Sequence, residues 1–384
     1  MTQFLGYRRP DGRIGVRNIV AVISAMDNTN PCADRIASII PDARSVTTPF
    51  GRTQIGQDFE ITLRTLTGIG CHPNVGSVLV LGLSLASANA LADRIRPCGK
   101  PVEVLGLQEA GNTMALTAEG ARVTAELVVA ASAQAREPCD FSDLAIAVEC
   151  GGSDTTSGLA GNPTVGLFAD HFIDAGGTII LSEPAEFMGG EHILAERAVD
   201  PNDGQRIRDM VKWFEDEAIR NGVDMRGTNP TPDNIAGGLT TLEEKSLGAI
   251  AKGGSRPVVE VIEYSERPSK RGLVIMNTPS AACESMTGLL GGGSQMIIFS
   301  TGRGNSIGSP ISPTIKLTGN PNTAVSMKDN IDVDVSAIVT SGQSLDDAAT
   351  LLWNDMLAFA QGKLTRCEVW KEEQLSVSRF GPSV

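Results

Sequence analysis

Gly76–Gly82 reads GSVLVLG, an unbroken apolar run from Val78 to Leu81 set between Gly76-Ser77 and Gly82. A strand with one wet face would alternate apolar and polar residues. A continuous aliphatic run belongs to a strand covered on both faces, the usual condition of a parallel sheet flanked by helices. The flanking residues keep that rhythm. Asn18–Ser24 (NIVAVIS) reads as a second buried strand and Pro31–Ile40 as a helix. Gln57–Leu66 is helical in period, with Phe59, Leu63 and Leu66 on one face. Ala86–Ile95 is the next helix, Val102–Leu107 (VEVLGL) a third strand, and Ala115–Gln134 a further helix. Strand and helix in alternation require parallel pairing with right-handed crossovers.

Ala135–Phe141 (AREPCDF) reads as a linker, after which the rhythm resumes. Leu144–Val148, Gly177–Ser182, Gly272–Asn277 and Gln295–Ser300 are the strand candidates. Val165–Asp174, Pro201–Asn221, Leu242–Ala251 and Ala348–Gln361 are the helix candidates. Gly227–Gly254 is rich in Gly and Pro and irregular outside its short helix, and a long irregular span in a compact protein is often functional. The reading is α/β: two Rossmann-like parallel-sheet domains, residues 1–137 and 138–384, the second carrying most of the site.

Composition narrows the function. The net charge of −13 disfavours nucleic acid and anionic membrane surfaces, both of which need a cationic face. A small anionic substrate stays compatible, because a local cluster of Arg and backbone N–H groups outweighs the global field. The cysteines at 32, 71, 98, 139, 150, 283 and 367 are odd in number and form no C-x-x-C. That points to a reducing, cytoplasmic setting rather than a disulfide framework. The first residues contain no apolar stretch, so no signal peptide is expected. No apolar run is long enough to span a bilayer.

In open parallel sheets, ligands sit beyond the carboxyl ends of the strands. Four such endings are polar and Gly- or Pro-bearing: 149–154 (ECGGSD), 182–186 (SEPAE), 277–280 (NTPS) and 301–305 (TGRGN). Abstracting a proton next to a carboxylate needs a positioned base, so Glu183 or His192 is the candidate base, with Asp154 as a catalytic partner for a metal or a substrate hydroxyl. Asp154 and Glu191 are candidate ligands for a hard divalent ion. Asp154 could equally be an ordinary helix cap. Arg303 on its Gly-flanked loop suits a substrate carboxylate, supported by Arg17, Ser153, Thr301 and Asn277. His72, at a strand entrance, reads as structural, and Cys150 as a buried inert thiol.

The segments Phe4–Asn18 (FLGYRRPDGRIGVRN), His72–Gly76 (HPNVG), Cys150–Asp154 (CGGSD), Ser182–Pro184 (SEP) with Gly190–His192 (GEH), Asn229–Gly248 (NPTPDNIAGGLTTLEEKSLG) and Thr301–Gly304 (TGRG) together resemble the altronate/galactarate dehydratase family, which includes the sulfolactate sulfo-lyase large subunit. The resemblance covers nearly the whole chain. It implies dehydration of a small hydroxy or sugar acid to a 2-keto-3-deoxy acid, or loss of sulfite from sulfolactate. An isomerase or epimerase, or a non-catalytic paralogue, on the same scaffold is the alternative. The resemblance also implies a divalent metal, usually iron, a separate small partner subunit, and a homo-oligomer. The chain departs from the family pattern where Cys or His is common: Met26–Asn28, Pro49–Thr53, Leu83–Leu85 and Gly308–Ser309 carry none. Hard ligands alone would favour magnesium, manganese or no metal over iron.

Overall fold

A computed structural model describes residues 3–381 and 383, with the backbone alone for 227 and 228. The first two residues of the segment read for a signal peptide lie outside the described residues. β1 (Gln3–Arg8) and β2 (Ile14–Gly15) form an antiparallel pair. β3 (Ile19–Ser24), β4 (Ala43–Val46), β5 (Val75–Gly82) and β6 (Val102–Gly106) make a four-stranded parallel sheet in the order β4-β3-β5-β6. β7 (Glu137–Asp140) pairs antiparallel with β1, from Gln3 opposite Asp140 to Gly6 opposite Glu137.

The second parallel sheet has seven strands. They are β8 (Ala145–Cys150), β9 (Thr178–Leu181), β10 (Val258–Ile262), β11 (Leu273–Met276), β12 (Met296–Ser300), β13 (Thr314–Thr318) and β14 (Val333–Asp334), in the order β10-β11-β9-β8-β12-β13-β14. From β8 the chain steps to β9 on one side and later returns to β12 on the other. The strand order therefore reverses between β8 and β12, the place where open parallel sheets leave a crevice for ligands.

The α/β architecture follows the buried apolar runs. The linker does not: residues 137–140 are a strand that anchors the chain's start. β4 (ARSV), β10 (VVEVI) and β13 (TIKLT) lay outside the strand candidates because polar residues interrupt their apolar pattern, although every residue of β13 is buried. The seven-stranded sheet is covered on one face by helices Asn162–Asp174 and Leu345–Ala360, through Phe168, Phe172, Met356 and Phe359. Its other face, with Ala147, Ile297 and Phe299, shares a core with Val78 and Val80 of the first sheet. Each fully buried Val, Ile, Met or Phe side chain among these contributes about 1.5–3 kcal/mol. Among the described residues no helix is long and apolar enough to cross a membrane.

A polar seam joins the two sheets at the amino ends of their strands. The His72 Nδ1 accepts the Asn74 N–H (3.0 Å), so Nε2 carries the proton and donates to the Ser294 carbonyl (2.9 Å). Complete burial holds this imidazole neutral, down to about 3. Asn74 donates to the carbonyls of Gln295 (2.8 Å) and Ile311 (3.0 Å) and accepts from the Val16 N–H (2.9 Å). Arg9 donates to Pro73 O (2.6 Å), Asn18 Oδ1 (2.7 Å) and Arg17 O (2.8 Å). Beside this seam, helices Gly56–Gly70 and Ala282–Gly291 cross backbone to backbone: a Cβ on Gly68 would lie 2.0 Å from the Gly291 carbonyl oxygen.

Candidate active site

Pairing β8 with β9 sets Val148 opposite Leu181, so Glu149 and Cys150 end beside Ser182 and Glu183. Glu183 adopts a left-handed backbone (φ 65°, ψ 57°). That conformation is costly for a residue with a Cβ and persists only where the surroundings enforce it. Its N–H donates to the Thr278 hydroxyl (2.9 Å). Lys252, at the carboxyl cap of helix Leu242–Ala251, reaches the same place. Its ammonium lies 2.8 Å from Cys150 Sγ and 3.1 Å from Glu183 Oε2, with neither Lys252 nor Glu183 more than 2% exposed. Glu149 Oε2 accepts from the Ser182 (2.6 Å) and Ser285 (3.0 Å) hydroxyls, while its Oε1 has no hydrogen-bond partner among the described residues.

The electrostatics of this cluster follow from burial. Desolvation and the neighbouring Glu183 push the Glu149 carboxyl well above its usual range, so it holds a proton. Burial alone would drive the Lys252 ammonium down, but Cys150, Glu183 and Glu149 outweigh it and hold it up. Burial raises the Cys150 thiol to about 12, which keeps it protonated and non-nucleophilic. The cluster is thus near neutral: one ammonium, one carboxylate, one carboxylic acid and one thiol. Two bare carboxylates would not tolerate each other here.

Next to it opens a cavity of about 300 Å³, lined by Ser153, Asp154, Thr155, Glu186 and Lys245 among others. The Lys245 ammonium lies 3.1 Å and 3.0 Å from the two Glu186 oxygens and 2.8 Å from Asn229 Oδ1. Asp154 caps the helical turn that follows it. Its Oδ1 accepts from the Thr156 hydroxyl (2.6 Å) and the Ser157 N–H (3.0 Å), and its Oδ2 from Asn320 (2.7 Å). Gly302 is required opposite it, since a Cβ there would fall 2.2 Å from the Asp154 carboxyl. Residues 157–161 wind as a π-helical turn, a local strain common at functional sites. Residues 229–248 cover the cavity: Asn234 donates to Ser153 O (2.9 Å), the Thr155 N–H to Gly237 O (3.1 Å), and Asn162 to Gly248 O (2.9 Å).

The expected site residues divide. Ser153, Asp154 and Glu183 come together at the ends of β8 and β9. Thr301 and Arg303 stand across the β8/β12 reversal. There the Arg303 N–H donates to Gly152 O (2.8 Å) and its guanidinium to Asp233 O (2.6 Å). Arg17 is placed elsewhere. Its guanidinium grips both Glu368 oxygens (2.7 and 2.9 Å) and the carbonyls of Phe359 and Lys363, fastening the C-terminal helices. Asn277 lines a different cavity of about 640 Å³ and donates to Glu263 (3.0 Å). His192 is exposed on the first turn of helix Glu191–Glu196 and is bonded to none of the groups above. Sequence reasoning missed Lys245 and Lys252. They stand seven residues apart, two turns along one helix whose Leu242 and Ala249 are buried, and that spacing was the available signal.

The resemblance implies a divalent metal, and the donors expected for it are not assembled. Both Asp154 oxygens are engaged by protein donors, and Glu191 sits apart on its own helix. Among the described residues no group of three or more His, Cys, Asp or Glu is arranged to hold an ion.

Comparison with known proteins decides the kinship. Residues 141–383 match the model of the D-galactarate/altronate dehydratase C-terminal domain, and residues 6–132 that of the second domain of D-galactarate dehydratase/altronate hydrolase. The chain belongs to the D-galactarate/altronate dehydratase family. Within this family it is 40% identical over 381 residues to the (2R)-sulfolactate sulfo-lyase subunit beta of Chromohalobacter salexigens, covering 98% of this chain and 97% of that protein. It is 32% identical to the altronate dehydratase of Escherichia coli, covering 98% of this chain and 77% of the relative. The galactarate dehydratase (L-threo-forming) of Escherichia coli is 29% identical, with 94% and 73% covered. These relatives are lyases, and the family supports lyase activity for this chain.

Proposed function

We propose that this chain is the large subunit of a lyase that expels a β-substituent from a small 2-hydroxy acid anion, with residues 138–384 as the catalytic domain. The reading is carried by one observation. Three separate segments, 150–154, 182–186 and 229–248, converge on one cavity that pairs a carboxylate with an ammonium, at the carboxyl ends of β8 and β9.

In this reading the Lys245 ammonium attracts the substrate carboxylate, and Glu186 takes the proton from the carbon bearing the hydroxyl. The electrons of that C–H bond form the C=C bond, and the β-group departs with its own bonding pair. The enol product gives up its hydroxyl proton and takes a proton on C3 to become a 2-keto acid. Glu183, closed off behind the cavity with Lys252, positions the 182–186 loop rather than touching substrate.

Loss of sulfite comes first among the possible eliminations, because the sulfo-lyase subunit matches this chain along nearly its whole length. The dehydratase relatives carry additional chain beyond the match. Loss of water from a sugar acid is the second reading, supported by those same relatives. A separate small subunit and a homo-oligomer belong to the proposal, the former supported by the word "subunit" in the sulfo-lyase's name.

The test incubates the purified chain with sulfolactate and a panel of sugar acids, with and without iron, magnesium or manganese, and measures sulfite and 2-keto acid. Sulfite with a keto acid is expected, and Glu186→Gln should slow turnover about a hundredfold. Neither product from any substrate overturns the proposal. Full activity in both Glu186→Gln and Lys245→Met overturns the site.

A further inference from the structure

Away from that cavity, helix Gly56–Gly70 ends against the end of helix Leu85–Ile95. The contact is close: a Cβ on Gly70 would lie 2.4 Å from Ile95 Cδ1. Each helix end delivers a thiol. Cys71 caps the first helix and places its Sγ 3.7 Å from Ile95 O, and Cys98 closes the short turn Arg96–Cys98. Both belong to one hydrophobic cluster, with Cys71 half-buried and Cys98 6% exposed. All seven cysteines are free.

Lys100 lies beside them, 5% exposed, and among the described residues its ammonium donates only to the backbone carbonyls of Gly70 and His72. A buried ammonium ordinarily pairs with a carboxylate. Among the described residues none is hydrogen-bonded to it, and the nearby Arg13, which donates to Cys71 O (2.5 Å), is itself ion-paired with Asp11 (2.6 Å). Burial pulls the Lys100 ammonium down to about 7, and a Cys98 thiolate beside it acts in the opposite sense. The hydrogen bond from the Cys71 thiol, together with Lys100, pulls Cys98 down to about 6, while Cys71 is pushed up. The thiols of Cys139, Cys150, Cys283 and Cys367 are all raised instead, chiefly by burial.

We propose that Cys71 and Cys98 are a peroxide-sensitive dithiol that oxidises to a disulfide joining the two helix ends. The Cys98 thiolate attacks one oxygen of hydrogen peroxide, the O–O bond breaks, and Cys98 becomes a sulfenic acid as hydroxide leaves and is protonated to water. The Cys71 sulfur then attacks the sulfenic sulfur, forming the S–S bond and releasing water. Two thiols lose two electrons and two protons, and one peroxide becomes two waters. Because His72 follows Cys71 directly, the bridge clamps the segment that fastens the two sheets.

The experiment treats the intact chain with a small excess of hydrogen peroxide, alkylates it under denaturing conditions, and maps the peptides by mass spectrometry. The expected result is a peptide pair joined through Cys71 and Cys98, five alkylated cysteines instead of seven, and full recovery of seven after dithiothreitol. A Cys71→Ser variant should stop at a Cys98 sulfenic acid that dimedone traps. Seven alkylated cysteines after peroxide, or sulfinic acid on Cys98 without a bridge, overturns the proposal. So does a bridge between any other pair. The wild-type measurement decides the matter whether or not the variant folds.

Discussion

Replacing Lys252 by Met removes the one positive charge in the Cys150–Glu183–Lys252 cluster while keeping much of the side-chain volume. The carboxylate of Glu183, 2% exposed, then loses its partner at 3.1 Å beside an already protonated Glu149. Removing one member of a buried ion pair costs about 3–5 kcal/mol, because the charge left behind must be desolvated without compensation. At about 2 °C per kcal/mol for a domain of this size, Tm should fall by about 6–10 °C. The deficit should depend on pH with a defined sign. Burial already raises the native Glu183 carboxyl above its ordinary value of 4.5 against the pull of Lys252, and removing Lys252 should raise it further. Its protonated form therefore fits the fold at acid pH, and stability drains away as pH rises above about 4.5 towards neutrality. Thermal unfolding of the intact chain by circular dichroism between pH 4.5 and 7.5 measures both effects. The double variant Glu183→Gln/Lys252→Met, with no charge left to strand, should recover at least half of the loss. A single variant within about 1 kcal/mol of wild type, or a double variant losing the full sum of the two singles, would refute the reasoning.

Glu149→Gln should stabilise the protein near pH 7, because the native carboxyl must take up a proton that the unfolded chain releases; unfolding at pH 7 and pH 4 should show a gain confined to the higher pH. His72 is neutral in the fold, down to about 3 against 6.5 unfolded. It should therefore contribute stability above pH 6.5 that is lost as the pH falls below that value, a slope that His72→Gln should flatten in acid unfolding scans. Arg17→Ala should lower stability by about 3 kcal/mol, as expected for a largely buried charge pair, and leave KM unchanged; a raised KM at unchanged stability would return Arg17 to the substrate site. Atomic emission analysis of the purified chain should find iron well below one equivalent, and a full equivalent that resists dialysis would contradict the donor geometry.

The parallel-sheet plan was readable because runs such as Val78–Leu81 and Ile19–Ile23 state their own burial. β13 was not, since Lys316 and two threonines break its apolar pattern although all are buried. Among the site residues, Asp154 and Glu183 follow strands and could be found by position. Lys245 and Lys252 sit in a helix read as ordinary, where burial of a lysine leaves no mark in composition. Arg17 and His72 show the converse difficulty. Both lie in segments that carry the family resemblance, yet their bonds are to backbone and scaffold, so a specific motif signalled assembly rather than chemistry. Asn277 follows a strand as the geometric rule requires, but β11 lies two strands from β8 and opens onto another cavity.

The seam through His72 and Asn74 has a mechanical meaning. Ser294, Gln295, Ile311 and Ser312 all precede their strands, so every bond of that seam lies at the base of the two sheets, while the 640 Å³ space between helix Gly56–Gly70 and the β10 and β11 endings lies at their tips. That space is not left to swing open: beside it Arg64 donates to Tyr264 O (2.8 Å) and the Thr65 and Ser265 hydroxyls meet (2.8 Å), so the two sheets are tied at base and tip alike and the room between them is bounded by hydrogen bonds at both ends.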